Sequence, residues 1–212
     1  MALITVSRMY GSGGSEVAER IATQLRWRLF DNSFIDAQAE RLGIAPAEVE
    51  ANEERSPTLV RRLVQAITLS APEWAPPAGD APRPPSEERL VEVSTRIINE
   101  AVATGPAVLV GRGAQAVLAT RSDVIHVLCY APHPALVARV AARLGVSLKE
   151  AERITDDTNR EREEYVRKHW KRAWLAHENY HLSLNTDWLG LDAAAALVVS
   201  LARDRFRLAA GP

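Results

Sequence analysis

The run Ser7-Arg8-Met9-Tyr10-Gly11-Ser12-Gly13-Gly14-Ser15-Glu16 carries the residue types best suited to chemistry. Its glycines let a backbone approach a ligand without side-chain clash. An apolar run precedes it and a helix-forming run follows. Backbone N–H groups and a helix N-terminus therefore converge on whatever the loop holds. Phosphate suits that arrangement. The standard phosphate loop reads G-x-x-x-x-G-K-[ST]. Laid on this sequence, Gly13 takes the second glycine, Ser15 the hydroxyl that reaches magnesium, Gly14 the lysine and Arg8 the first glycine. The lysine is missing. Losing a cation that touches transferred phosphate is costly unless another replaces it, and Arg8 is a candidate. The plainer alternative is a strand–helix turn that merely needs glycine.

A second cationic group lies in Thr155 to Arg172, TDDTNREREEYVRKHWKR. Arg160, Arg162, Arg167, Lys168, Lys171 and Arg172 are interleaved with Asp156, Asp157, Glu161, Glu163 and Glu164. One reading is a solvated helix laced by i,i+4 pairs such as Glu164 with Lys168. The other is a lid whose arginines close over phosphate, which guanidinium grips bidentately. Trp170 and Trp174 would pack on the body or on a partner subunit. Downstream, His177-Glu178-Asn179-Tyr180-His181 spells H-E-x-x-H, the zinc-hydrolase string. That chemistry needs both histidines on one helical face and a third ligand beyond, but His181 to Leu184 alternates like a strand and no later histidine exists. His126, His133 and His169 show no ligand-like grouping. Cys129 reads as a small core residue.

The elements that must position these groups alternate along the chain. Ala2 to Val6 reads as a strand, Glu16 to Leu25 as a helix with Val17, Ile21 and Leu25 on one face, and Trp27 to Phe30 as a short strand ending at Asp31. Helices are expected over Asn32 to Leu42, from Pro46, and over Thr58 to Leu69. Ala71 to Pro85 holds six prolines in fifteen residues, which excludes regular structure and predicts a mobile loop, either a connector or a binding loop. Beyond it, Ser86 to Ala103 and Pro134 to Leu144 read as helices. Ala107 to Val110 and Val124 to Cys129 read as strands buried on both faces. Ser147 to Glu150 is a capping-box pattern opening the charged helix. His181 to Leu184 suggests a last strand and Ala193 to Phe206 a last helix. Strands separated by helices predict a mostly parallel sheet covered on both faces.

Composition frames the rest. The 212 residues suit one domain with a substantial core, and 47% apolar with 25% charged residues is ordinary for a soluble globular protein. A net charge of −1 gives no global electrostatic reason to expect nucleic acid or an anionic membrane as partner. A single cysteine does not imply an oxidising compartment, no apolar run is long enough to span a bilayer, and the N-terminus lacks signal-peptide features. The expectation is a cytoplasmic protein, with homo-oligomerisation left open.

Four segments together carry a family resemblance: the opening ITVSRMYGSGGSEVAERIA, the turn VLVGRGAQAVL, the lid-like REREEYV and the late YHLSLNT. In this order, from Ile4 to Thr186, they resemble the cytidylate-kinase-like family, related to the P-loop nucleoside monophosphate kinases. The resemblance implies an α/β, P-loop three-layer sandwich over residues 1–212, with a mostly parallel sheet. It adds a helical lid (147–175) and an acceptor-binding insertion where the Pro-rich loop (71–85) falls. It implies ATP with Mg2+ as phosphoryl donor and a nucleoside monophosphate as acceptor. Gly11, Ser12, Gly13, Gly14, Ser15 and Glu16 would bind the donor nucleotide. Arg8, Arg112 and Arg162 would neutralise charge in catalysis, Arg112 in the Gly111-Arg112-Gly113 turn also meeting the acceptor phosphate. Asp31 and Arg160 would complete the acceptor site, and Ser15 and Asp31 would position the metal. Asn159 departs from the family's D-x-x-R pattern ahead of Arg162, and the family shares the lysine-free loop. A nucleotide-binding sensor or interaction module without turnover is the competing expectation.

Overall fold

The computed structural model describes residues 1–31 and 87–208. The expected helices over Asn32 to Leu42, from Pro46 and over Thr58 to Leu69, and the Pro-rich loop, lie outside the described residues.

Five strands form one sheet: β1 (Leu3–Arg8), β2 (Arg28–Phe30), β3 (Ala107–Val110), β4 (Val124–Tyr130) and β5 (Leu182–Asn185). The order is β2-β3-β1-β4-β5, and every neighbouring pair is parallel. The helices are α1 (Gly14–Leu25), α2 (Glu87–Ala103), α3 (Ala114–Val117), α4 (His133–Leu144), α5 (Leu148–Trp170), α6 (Thr186–Leu189) and α7 (Leu191–Phe206). The expected α/β architecture with a parallel sheet is present.

Successive strand residues point to opposite faces, so an all-apolar strand feeds two cores. Ile4, Val6, Val108, Val110, Ile125 and Val127 join one cluster, where α1 and α7 supply Val17, Ile21, Ala194 and Val198. Leu3, Ala107, Leu109 and Val124 join the other, with Ile98, Ala101 and Val102 from α2. A third cluster couples α4 to α5 through Val137, Val140, Ala151 and Ile154, with Tyr10 of the glycine loop packed against it.

Boundaries moved where a contact extends an element. Helix α1 begins at Gly14 because the glycine loop runs straight into it, and α7 begins at Leu191. Half of the expected capping box forms. Ser147 Oγ accepts the Glu150 N–H at 3.3 Å, but the Glu150 carboxylate turns to Arg153 at 2.6 Å rather than back to the cap.

Candidate functional site

Loops leaving the carboxyl ends of β1, β3, β4 and β5 meet at one edge of the sheet, where open parallel sheets bind ligands. The glycine loop sits on the central strand. Gly13 is the N-cap of α1, in the left-handed region at φ 72°, and no side chain caps the helix. The N–H groups of Gly14, Ser15 and Glu16 thus open the helix without intrahelical acceptors, as a phosphate cradle requires. A second feature points to a ligand: Ser12 is fully buried, and its Oγ has no hydrogen-bond partner.

The loop is held from behind. The Ser12 carbonyl accepts from Thr186 Oγ1 at 2.6 Å and from Arg139 Nη1 at 3.2 Å. Arg139 also reaches the Thr186 carbonyl at 3.3 Å and Asp187 at 3.4 Å. Two glycines are fixed by what lies on them. A Cβ at Gly11 would stand 2.6 Å from the Leu136 carbonyl oxygen, and one at Gly13 would stand 2.6 Å from Leu191 Cδ2.

Gly14 explains the missing lysine. A Cβ there would run into Cβ and Cγ of Arg8 and lie 3.0 Å from Cβ of Cys129. The place from which a lysine would project is filled by the Arg8 stem. Arg8 is 8% exposed, and its guanidinium lies over Gly111, where any Cβ would collide with it. The side chain runs from the glycine loop to the turn that carries Arg112. Cys129, whose thiol burial pushes up to about 12, is the packed wall of this channel.

The Gly111-Arg112-Gly113 turn has three successive left-handed residues, with φ of 71°, 51° and 72°. The glycines adopt this freely; Arg112 does so at a cost of about 1 kcal/mol, and its side chain is 6% exposed. Gly113 is roofed by the indole of Trp170, which meets the Tyr165 ring edge-on at 5.3 Å. Trp170 thus packs on the body, and Trp174 is buried. Beside Arg112 lies an apolar recess lined by Phe30, Ile97, Ile98 and Leu109.

Helix α5 docks on the glycine loop through backbone groups. Asn159 Oδ1 accepts the Tyr10 N–H at 2.8 Å, and Arg162 Nη1 donates to the Arg8 carbonyl at 2.8 Å. Arg162 and Arg143 both stack over the Tyr10 ring, at 5.6 and 4.8 Å. Arg8, Arg112, Arg162 and the loop from Gly11 to Glu16 are therefore gathered at one edge. Arg160 is different: it is exposed and paired with Asp157 on its own helix. Ser15 is exposed at the start of α1. Asp31 follows β2, which β3 separates from β1, so it stands on the side of Arg112 and the recess.

The H-E-x-x-H string does not form one helical face. His177–Asn179 is a single 3-10 turn, and His181 precedes β5 with its Nδ1 accepting the His126 N–H at 2.8 Å. Among the described residues, no group of three His, Cys, Asp or Glu side chains is arranged to hold a metal. Nor is any helix there long and apolar enough to cross a membrane. Sequence reasoning missed Arg139, Thr186 and Asn159 as supports of the loop. Thr186 and Asn159 fall inside quoted motifs, but their partners follow from the fold.

A profile described as the cytidylate kinase-like family matches residues 3–188. The chain belongs to the cytidylate kinase-like family. Membership accounts for the order of the opening glycine loop, the Arg112 turn, the charged helix and the Asn185-Thr186 pair. No curated protein sequence matches the chain. Among solved structures, an uncharacterized protein from Eubacterium ventriosum ATCC 27560 superposes with TM-score 0.69 at 16% identity, covering 95% of this chain and 98% of that one. A shikimate kinase from Acinetobacter baumannii in complex with shikimate gives TM-score 0.52 at 14% identity, covering 96% and 94%. A gluconokinase from Sinorhizobium meliloti 1021 gives TM-score 0.52 at 12% identity, covering 99% and 98%. These likenesses are of fold, and the fold is that of the P-loop kinases.

Proposed function

We propose that this member of the cytidylate kinase-like family is a phosphotransferase that moves the γ-phosphoryl group of ATP to a nucleoside monophosphate. The observation that carries the reading is the exchange between Gly14 and Arg8. The loop keeps its cradle of N–H groups, and the space of the missing lysine is filled by an arginine that runs toward Arg112. A cation is thereby retained between donor and acceptor sides.

In this reading, Gly11, Gly13, Gly14, Ser15 and Glu16 hold the donor phosphates through backbone amides, and Ser12, whose N–H is donated to the Met9 carbonyl, through its buried hydroxyl. Arg112 binds the acceptor phosphate, with Asp31 orienting the acceptor beside the apolar recess. An oxygen of that phosphate attacks the γ-phosphorus in line, the bond to the β,γ-bridging oxygen breaks, and ADP leaves. The acceptor is already anionic, so positioning and charge neutralisation carry the rate. Arg8 and Arg162 supply positive charge as helix α5 excludes water. The hard oxygen donors Ser15 and Asp31 fit Mg2+, which would neutralise charge across the β- and γ-phosphates. Residues 1–212 act as one kinase-like domain in the cytoplasm, with 147–175 as lid. Arg160 is assigned the outer rim of the acceptor site, released from Asp157 when substrate arrives.

The test is a coupled assay with ATP, Mg2+ and each nucleoside monophosphate. ADP formation with one acceptor is expected; none with any acceptor overturns the proposal. The docking of Asn159 and Arg162 on the loop backbone favours one other reading, a nucleotide sensor whose lid reports occupancy without turnover. Binding of ATP analogues without turnover would support it, and turnover that falls in Arg162→Ala would dismiss it.

A further inference from the structure

Two tripeptides of one kind, arginine on each side of an aromatic residue, fold side by side. Arg26-Trp27-Arg28 links α1 to β2, and Arg205-Phe206-Arg207 closes α7. Helices α1 and α7 pack on the same face of the sheet, and both end at the amino edge of its strands. The Trp27 and Phe206 rings meet there, with centroids 6.1 Å apart. All four flanking arginines are exposed. Arg205 reaches the Ser122 carbonyl just ahead of β4, and Arg28 reaches the Ala101 carbonyl near the end of α2, each at 3.4 Å. Arg121 lies on the same edge, and its partner Asp123 also holds the N-terminal ammonium. The plainer reading is a cap on the core. Yet Arg26 and Arg207 are the C-caps of α1 and α7, in the left-handed region at φ 55° and 52°. Glycine takes that conformation without strain. The helix dipole favours a cation there, but only by about as much as the strain costs. Stability alone therefore gives no reason for arginine at either cap.

A net charge of −1 averages over this patch and hides it. Its cations are arginines, and guanidinium grips phosphate bidentately. The aromatic pair between them is only partly buried. Cations that track a backbone, set around rings that take a base, suit a strand whose bases are unpaired. An anionic bilayer fits less well, because Trp27 and Phe206 pack on the core and are not free to insert. An acidic protein offers carboxylates to the arginines but no run of flat bases to the rings. We infer that this edge binds single-stranded nucleic acid. Arg26, Arg28, Arg205 and Arg207 hold its phosphates, and a base lies against the Trp27–Phe206 pair. The six residues of β1 put the patch roughly 20 Å from the glycine loop. The inference therefore stands apart from the proposed phosphoryl transfer.

The test is fluorescence anisotropy of labelled oligouridine and oligothymidine strands titrated with the full chain over a range of salt. Wild type should bind, more tightly at low salt, and the tighter strand identifies RNA or DNA as the natural form. Combining Arg26→Gly with Arg207→Gly should weaken binding roughly tenfold and lower the salt slope by about 1 to 2. Glycine relieves the strain at both caps, so Tm should hold and the loss should not reflect misfolding. Arg26→Lys with Arg207→Lys, which keeps the charge, should retain most of the affinity even if the glycine variant proves unstable. Saturating ATP with Mg2+ should not displace the strand, since the glycine loop lies elsewhere. Displacement by ATP would place the strand in that loop and overturn the inference. An affinity unchanged in the glycine variant would overturn it too. Failure of wild type to bind either strand would do the same, whether or not the chain sediments with phosphatidylserine vesicles, which would make this edge a membrane surface.

Discussion

At residue 14, a side chain and a neighbouring stem compete for one volume. Glycine there lets Arg8 pass, and the Cys129 Cβ closes the other side. On the proposed reading, Arg8→Ala should lower kcat/KM about 100-fold or more by removing a cation near the transferred charge, with Arg8→Lys recovering part. Gly14→Lys alone should overpack the channel by about 1–3 kcal/mol, seen as a Tm lower by roughly 3–10 °C. Combining it with Arg8→Gly should restore much of that Tm. A Gly14→Lys variant as stable as wild type would show that the two side chains do not compete. The missing lysine was visible in the sequence, and so was Arg8 as a candidate to replace it. What made them alternatives was not visible, because it depends on β4 lying beside β1 and bringing Cys129 to Gly14.

Helix α5 shows where sequence patterns stop. Its cap, its length and its charge were legible from Ser147 onward, since they follow from local spacing. Its docking was not, because Asn159 and Arg162 find backbone partners in a loop about 150 residues away. The departure of Asn159 from the family pattern gains a physical role: its amide oxygen accepts the Tyr10 N–H. Four-residue elements such as α3 and α6 are too short to show a period. On α5, burial first, then the charge of Asp157, pushes the Glu161 carboxyl up to about 7. A carboxyl raised in this way is most favourable to the fold while protonated. The stability it contributes is fully present below its ordinary value near 4.5 and is lost as pH rises through about 7. Glu161→Gln should therefore raise Tm at pH 8 and leave it nearly unchanged at pH 4.5. A variant that is no more stable than wild type at pH 8 would contradict this account.

Across the molecule, the parallel sheet follows from strands apolar on both faces, and Ala107–Val110 was read to the residue for that reason. The polar pair inside that sheet was not anticipated. His126 is 4% exposed, shares a 2.7 Å hydrogen bond between its Nδ1 and Thr5 Oγ1, and stacks on His181 with centroids 5.1 Å apart. Burial first, then the charges of His181 and Arg172, lowers its imidazole to about 4. The unfolded chain therefore binds a proton that the native one refuses between about 6.5 and 4. Stability from this site is present above 6.5 and drains away as pH falls toward 4, by an amount on the order of 3 kcal/mol at most. His126→Asn keeps an acceptor for Thr5 and removes the titration. Its Tm should fall less than that of wild type from pH 7 to pH 4.5; parallel pH profiles would refute the assignment.

The hydrogen bond from Thr186 to the Ser12 carbonyl joins residues 174 positions apart. On a ribosome adding roughly 5–20 residues per second, the glycine loop emerges about 9–35 s before the residue that braces it. Its other supports, Arg139, Asn159 and Arg162, also come late in the chain. The nascent chain therefore carries a phosphate loop that is made early and completed late. Nucleotide added to stalled ribosomes should protect the N-terminal half from protease only after Thr186 has cleared the exit tunnel.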